Sequence, residues 1–139
     1  NQVLIFYEYP GAFRVVPIDG TPHSVDPDPP WMGESVGWYE GDILVIDTIG
    51  YNDKTTVGGR GGFRHSEKLH TVERFRRTDD AIEITVTTED PDVFAAPWTQ
   101  TSTYRYMPEL KKIGEFVCEN NPDYRRLFGN PAATDPQRN

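Results

Sequence analysis

The chain has 139 residues, a length that suits a single domain with its own hydrophobic core. Its net charge of −8 argues against binding to nucleic acid or to an anionic membrane surface, because like charges repel. A single cysteine, Cys118, excludes an internal disulfide, and no apolar run approaches the ~20 residues of a membrane helix.

The first thirty residues predict two strands followed by a proline-rich surface segment. Residues 3–9 and 12–18 are rich in strand formers, and Pro10-Gly11 between them is a turn signal. Residues 21–30 contain four prolines, which cannot donate hydrogen bonds to a ladder, so we expect a stiff excursion there. Because Asn1 leads straight into a predicted strand, we interpret the chain as a processed product or a fragment.

Residues 31–48, Trp-Met-Gly-Glu-Ser-Val-Gly-Trp-Tyr-Glu-Gly-Asp-Ile-Leu-Val-Ile-Asp-Thr, predict a β-hairpin. Residues 36–39 lead in, Glu40-Gly41 turns the chain, and residues 43–48 lead out. A tight hairpin turn needs a residue with positive φ, and Gly41 is the residue that we expect to adopt it.

The rest of the chain predicts a long loop, four more strands and a short helix. Residues 50–64 are glycine-rich and form the loop, and the strands span residues 69–78, 82–88, 98–106 and 112–119. Asn121 and Pro122 begin a helix of one to two turns over residues 122–128, which ends at Gly129. The predicted fold is all-β, an antiparallel up-and-down meander forming a curled sheet or a small lipocalin-like barrel. It occupies residues 1–128 as one domain, with a flexible tail at 129–139.

Two motifs have ordinary structural interpretations. Residues 33–37 match the G-x-S-x-G pattern of serine hydrolases, but no helix is predicted after Ser35, so we predict that Ser35 is not a nucleophile. His65 and His70 are five residues apart and fall on opposite faces of a strand, and a metal site would need His23 and a carboxylate such as Glu67 brought in by folding. We therefore interpret the histidines as surface or hydrogen-bonding groups and predict no metal site and no cofactor.

Carboxylates that interrupt apolar strand faces are the candidate catalytic residues: Asp47, Glu73 and Glu115. If their faces line a cavity, burial raises their pKa values and suits them to general acid–base catalysis. The alternative is that the opposite faces form the core, with Leu44 and Ile46, His70 and Val72, and Phe116 and Cys118 inside. One register step exchanges the two arrangements.

Aromatic side chains could line a ligand pocket together with His70: Trp38, Phe75, Trp98, Tyr104 and Phe116. The same residues could instead form an ordinary aromatic core.

Several blocks resemble a large family of uncharacterised bacterial proteins: residues 17–23, 31–48, 65–77, 97–98 and 115–120. The resemblance implies an exported protein, periplasmic or extracellular, in which this module is the C-terminal part of a longer precursor. It supplies no function, and Asn120-Asn121-Pro122 departs from the usual ending of the family. The recurrent residues of the family map onto His23, Trp31, Asp47, His70, Glu73, Trp98, Cys118 and Glu119.

Three functions are compatible with these features. The first is an exported barrel that binds a small, partly apolar ligand in its interior. The second is an isomerase, cyclase or hydrolase on the same barrel that uses the buried carboxylates as acid and base. The third is a structural subunit that self-associates or accepts a partner strand at an open sheet edge.

Overall fold

The computed structural model describes residues 1–7, 12–27, 30–58 and 62–110, and in these ranges the chain is all-β, without a helix. The strands are β1 (Gln2–Phe6), β2 (Phe13–Pro17), β3 (Glu34–Glu40), β4 (Ile43–Ile49), β5 (Thr56–Val57), β6 (Phe63–Arg64), β7 (His70–Arg77), β8 (Ala81–Glu89) and β9 (Trp98–Arg105). The predicted all-β, antiparallel class is confirmed. The predicted strand at 112–119, the helix at 122–128 and the tail lie outside the described residues. Within those ranges, no helix has the length and apolar character needed to cross a membrane.

The main sheet is an open antiparallel meander in the order β3-β4-β7-β8-β9. The strands β5 and β6 form a small separate pair within the predicted glycine-rich loop, and β1 and β2 form another two-stranded sheet. Neither β3 nor β9 has a second neighbour in the described part of the chain, so the small barrel suggested by the sequence is not formed there. Five strands fall short of the roughly eight that enclose an interior in small barrels.

The hairpin predicted at residues 31–48 is present, and its turn lies one residue later than expected. Glu40 pairs with Ile43, so the two-residue loop is Gly41-Asp42. Gly41 has a φ of 65°, which confirms the predicted positive φ, whereas Asp42 has a negative φ. This combination fits a type II′ turn, which places glycine at its first central position.

Residue contacts divide the chain into two units. The first comprises Asn1–Ile5 and Arg14–Glu109, and it contains the whole main sheet. The second comprises Phe6–Phe13 and Leu110–Asn139. In the described part of the second unit, the backbone N–H of Tyr7 donates to the carbonyl of Ala12 at 2.9 Å, and the rings of Phe6 and Phe13 are 6.3 Å apart.

Each face of the main sheet is identified by a carboxylate. Asp47 lies opposite Val36 and Val72 in the ladders, and these residues define the Asp47 face. Glu73 lies opposite Ile46 and Val86, which define the Glu73 face.

Strand β2 covers the part of the Glu73 face around Gly37 and Glu73. Arg14 Nη1 is 2.6 Å from Glu73 Oε2, and the Val16 side chain lies nearest to the position that a Cβ on Gly37 would take. Val16 and Ile46 are completely buried in this layer. Gly37 leaves the space that Val16 fills, because a Cβ on Gly37 would come within 2.9 Å of Val16 Cγ1.

Candidate functional site

A continuous series of hydrogen bonds and short contacts joins five titratable side chains on the Asp47 face. We call it the network, and it consists of Glu34, His23, Asp47, His70 and Glu89.

The sheet register places four members of the network on adjacent strands. Glu34 is two residues before Val36, the ladder partner of Asp47. His70 is two residues before Val72, the partner of Asp47 on β7, and it lies directly opposite Glu89 on β8. Side chains two residues apart on a strand share a face, so these four groups meet on one side of the sheet.

Asp47 is the centre of the network because each of its oxygens contacts a different imidazole. Oδ1 is 2.8 Å from Nε2 of His23, and Oδ2 is 2.9 Å from Nε2 of His70. Since a carboxylate can only accept, both Nε2 atoms carry hydrogens and donate to Asp47. The three side chains are partly buried, with exposed fractions of 19% for His23, 20% for Asp47 and 29% for His70.

His70 is held between two carboxylates. Its Nδ1 is 2.7 Å from Glu89 Oε1, while its Nε2 donates to Asp47. Burial lowers the pKa of His70, but the hydrogen bonds to Glu89 and Asp47 act in the opposite direction and leave it above its ordinary value. Both nitrogens donate at once only in the imidazolium form, so the arrangement favours a cationic His70.

We predict that the stability contributed by His70 declines as the pH rises. Its pKa in the folded protein lies above the value of about 6.5 in an unfolded chain, so the contribution is complete below about pH 6.5 and disappears as the pH passes the raised value. Urea unfolding should show H70Q less stable than the wild type at about pH 5.5. The difference should shrink by about half or more at about pH 9. A difference that is constant or grows with pH would contradict the imidazolium assignment.

His23 differs from His70 because only its Nε2 is hydrogen-bonded to another of the described residues. Its Nε2 donates to Asp47, and its Nδ1 is 3.4 Å from Glu34 Oε1. Nδ1 is buried and has no hydrogen-bond partner among the residues that the structure describes. In the neutral ring, Nδ1 carries the lone pair, and it faces the Glu34 end of the network.

Glu34 belongs both to the network and to a neighbouring groove. The groove has a volume of about 590 Å³, and its lining includes Glu34, Ser24, Val15 and Pro17. Glu34 Oε1 accepts a hydrogen bond from the backbone N–H of Ser24 at 2.7 Å. This bond lowers the pKa of Glu34 more than burial raises it, and His23 lowers it further. Glu34 therefore presents a carboxylate to the groove at neutral pH.

The predicted catalytic carboxylates do not share a site. Asp47 lies at the centre of the network, but Glu73 lies on the opposite face, where it is paired with Arg14. The condition that their faces line one interior is not met for Asp47 and Glu73, because the register places Val72 rather than Glu73 opposite Asp47. Glu115 lies outside the described residues.

The predicted aromatic wall is also divided between the faces. Trp38 pairs with Val45 on the Asp47 face, and its Nε1 donates to Glu40 at 3.0 Å. The ladders place the others on the Glu73 face: Phe75, Trp98 and Tyr104. Trp98 contacts Phe94 edge-on at 6.2 Å, and Tyr104 is largely exposed. These four aromatic residues therefore do not form one pocket. His70, which was predicted to line the same pocket, lies in the network. Phe116 falls outside the described ranges.

The side chains of Ser35 and His65 each contact neighbouring polar groups of the fold. Ser35 lies within β3, is buried, and has its hydroxyl 2.9 Å from Thr48 Oγ1, so it lacks the strand–turn–helix surroundings of a G-x-S-x-G nucleophile. His65 Nδ1 donates to the Ser66 carbonyl at 2.9 Å, and Nε2 is 2.6 Å from the Thr55 hydroxyl oxygen, so both ring nitrogens have hydrogen-bond partners.

Sequence reasoning identified Asp47 and His70 but missed the roles of three other groups. Glu34 lies within the G-x-S-x-G pattern, and Glu89 lies at the end of a strand. His23 lies within the proline-rich segment. A shared strand face could have indicated part of the site. Once the strands are paired in register, four side chains fall on the same face of the sheet: Glu34, Asp47, His70 and Glu89. No comparable signal points to His23, because it lies in a loop.

Across the described parts of the chain, no group of three or more His, Cys, Asp or Glu side chains is arranged to hold a metal ion. Comparison of the whole chain with protein families, curated protein sequences and solved structures gives no match. The chemistry of the network is therefore the basis for inferring a function.

Proposed function

We propose that this domain is a small acid–base enzyme that moves a proton on a partly apolar substrate bound in the groove beside Glu34. The observation that supports the proposal most directly is the Asp47 carboxylate held between the Nε2 atoms of His23 and His70. Histidine is suited to proton transfer near neutral pH, and a carboxylate on one ring nitrogen directs the proton chemistry to the other.

His23 is the proposed base. Asp47 accepts from Nε2–H of His23 at 2.8 Å, which selects the tautomer with a lone pair on Nδ1. Nδ1 is buried and His23 is not part of the groove lining, so a substrate proton reaches Nδ1 through the Glu34 carboxylate, 3.4 Å away. The carboxylates of Asp47 and Glu34 stabilise the resulting imidazolium. The same ring then returns the proton, so the reaction class is proton transfer, as in an isomerase.

His70 is a positioning residue in this scheme. Its hydrogen bond to Asp47 Oδ2 fixes the carboxylate, and Glu89 fixes His70 in turn.

A binding function without catalysis is the second candidate, and the groove favours it. Its volume of about 590 Å³ is within the range of roughly 300–1,000 Å³ typical of small-molecule sites. Apolar and polar side chains both line it, which fits the partly apolar ligand expected from the sequence.

The base-catalysed ring opening of 5-nitrobenzisoxazole tests the proposed function, because it requires one positioned base and releases a coloured product. We expect the wild type to exceed free imidazole at equal concentration. H23Q, which can still donate to Asp47 but cannot take a proton, should lose about 100-fold of the excess rate. D47N should lose a similar amount.

D80N is the matched control, since Asp80 is exposed and contacts Arg105 away from the network. It should react at the wild-type rate. Proton spectra should confirm that each variant is folded. A wild-type rate no greater than that of imidazole, or a rate unaffected by H23Q, would rule out His23 as the base and leave the binding function.

A further inference from the structure

The groove beside Glu34 combines apolar walls with an acidic end. Among the described residues of its lining, the charged side chains are two carboxylates, Asp26 and Glu34. Its apolar walls come from β2 and from the proline-rich segment: Val15, Pro17, Pro27 and Pro30.

We propose that the groove binds a small organic cation, a primary amine carried on an alkyl or aryl group, with its ammonium hydrogen-bonded to Glu34. This inference deepens the proposed function by naming the class of substrate. The ammonium complements the carboxylates, and the hydrocarbon covers Val15 and the prolines, whose burial favours binding.

Glu34 is better placed than Asp26 to bind the ammonium. Its Oε1 is fixed by the backbone N–H of Ser24 at 2.7 Å, and its side chain is only 29% exposed. Asp26 is exposed, so its attraction for a cation is screened by water and salt. Glu34 should therefore set the affinity, and Asp26 should add a smaller contribution.

Three ligands of similar shape but different charge test the proposal. Benzylamine is cationic at neutral pH, benzyl alcohol is neutral, and benzoate is anionic. The acidic end should favour benzylamine over benzyl alcohol by about tenfold, and benzoate should not bind.

Titration of the full chain followed by proton–nitrogen correlation spectra at about 150 mM salt would test this order. Benzylamine should shift the amide signals of Ser24, Gly33 and Ser35, which line the groove. E34Q should weaken benzylamine binding about tenfold. E67Q, which replaces an exposed glutamate outside the lining, should leave binding unchanged.

The D47N variant separates this inference from the proposed function. It disrupts the network without altering the groove lining, so benzylamine should bind D47N as it binds the wild type. Proton transfer at the wild-type rate in D47N, with benzylamine binding retained, would reject only the proposed function. Equal binding of benzyl alcohol, unchanged binding by E34Q, or shifts confined to acidic residues elsewhere would reject the amine site.

Discussion

Replacing Arg14 with methionine should lower the free energy of unfolding by about 3–5 kcal/mol. Arg14 is 8% exposed and Glu73 is 16% exposed, and Nη1 and Oε2 are 2.6 Å apart. Methionine keeps much of the side-chain volume but leaves the Glu73 carboxylate in the layer between β2 and the main sheet without its cation. The expected loss arises mainly from that uncompensated buried charge rather than from the attraction itself.

Urea unfolding of four proteins would establish the origin of the loss. The double variant R14M/E73M should regain most of the stability lost in R14M, because no charge then remains in the layer. R105M is the matched control, since the Arg105–Asp80 pair is 79% and 72% exposed, and it should cost less than about 1 kcal/mol. If R14M were no more destabilising than R105M, the Arg14–Glu73 pair would not be a buried interaction.

Replacing Gly33 with alanine should lower the free energy of unfolding by about 2–5 kcal/mol, because two separate costs combine. The φ of Gly33 is +68°, a left-handed conformation that costs a residue with a Cβ about 1–2 kcal/mol. An added Cβ would also lie 2.7 Å from both the Ile49 carbonyl oxygen and Thr48 Cγ2. The carbonyl belongs to β4 and cannot move without disturbing the ladder, so crowding adds about 1–3 kcal/mol.

Gly41 supplies the control for Gly33. Its φ is +65°, but no atom lies within 4 Å of the position of an added Cβ. G41A should therefore show only the conformational cost of about 1–2 kcal/mol. The difference between G33A and G41A in urea unfolding measures the crowding at Gly33, and equal losses would contradict a close approach between Gly33 and β4.

Local sequence patterns were sufficient to predict most strands but not their closure. Residues 69–78 and 82–88 were predicted as strands, and the structure has His70–Arg77 and Ala81–Glu89. Alternation and turn residues act over a few positions, so such elements can be read from sequence. Whether a sheet closes depends on which distant strands pair, and residues 50–64 gave no indication that β5 and β6 would pair separately.

The site was only partly predictable because it depends on register. Asp47 and His70 were recognised as polar residues on strands, but a shift of one residue in one strand would have placed them on opposite faces. The sequence does not show the register, so it allows Glu73 and Asp47 to share a face. The ladder places Glu73 opposite Ile46, on the other face. His23 is brought to Asp47 by a loop whose path has no periodic pattern to reveal it.

The spacing of the network along the chain links the site to the order of folding. His23 and Asp47 are 24 residues apart, Asp47 and His70 are 23 apart, and His70 and Glu89 are 19 apart. Each contact closes a loop of about twenty residues, and the entropy lost in closing it must be recovered by the contacts that the loop allows. The hairpin of β3 and β4 can form locally, yet it contains only Glu34 and Asp47. The network is therefore complete only when β7, β8 and the loop carrying His23 have joined that hairpin, so the site cannot assemble before these longer-range contacts form.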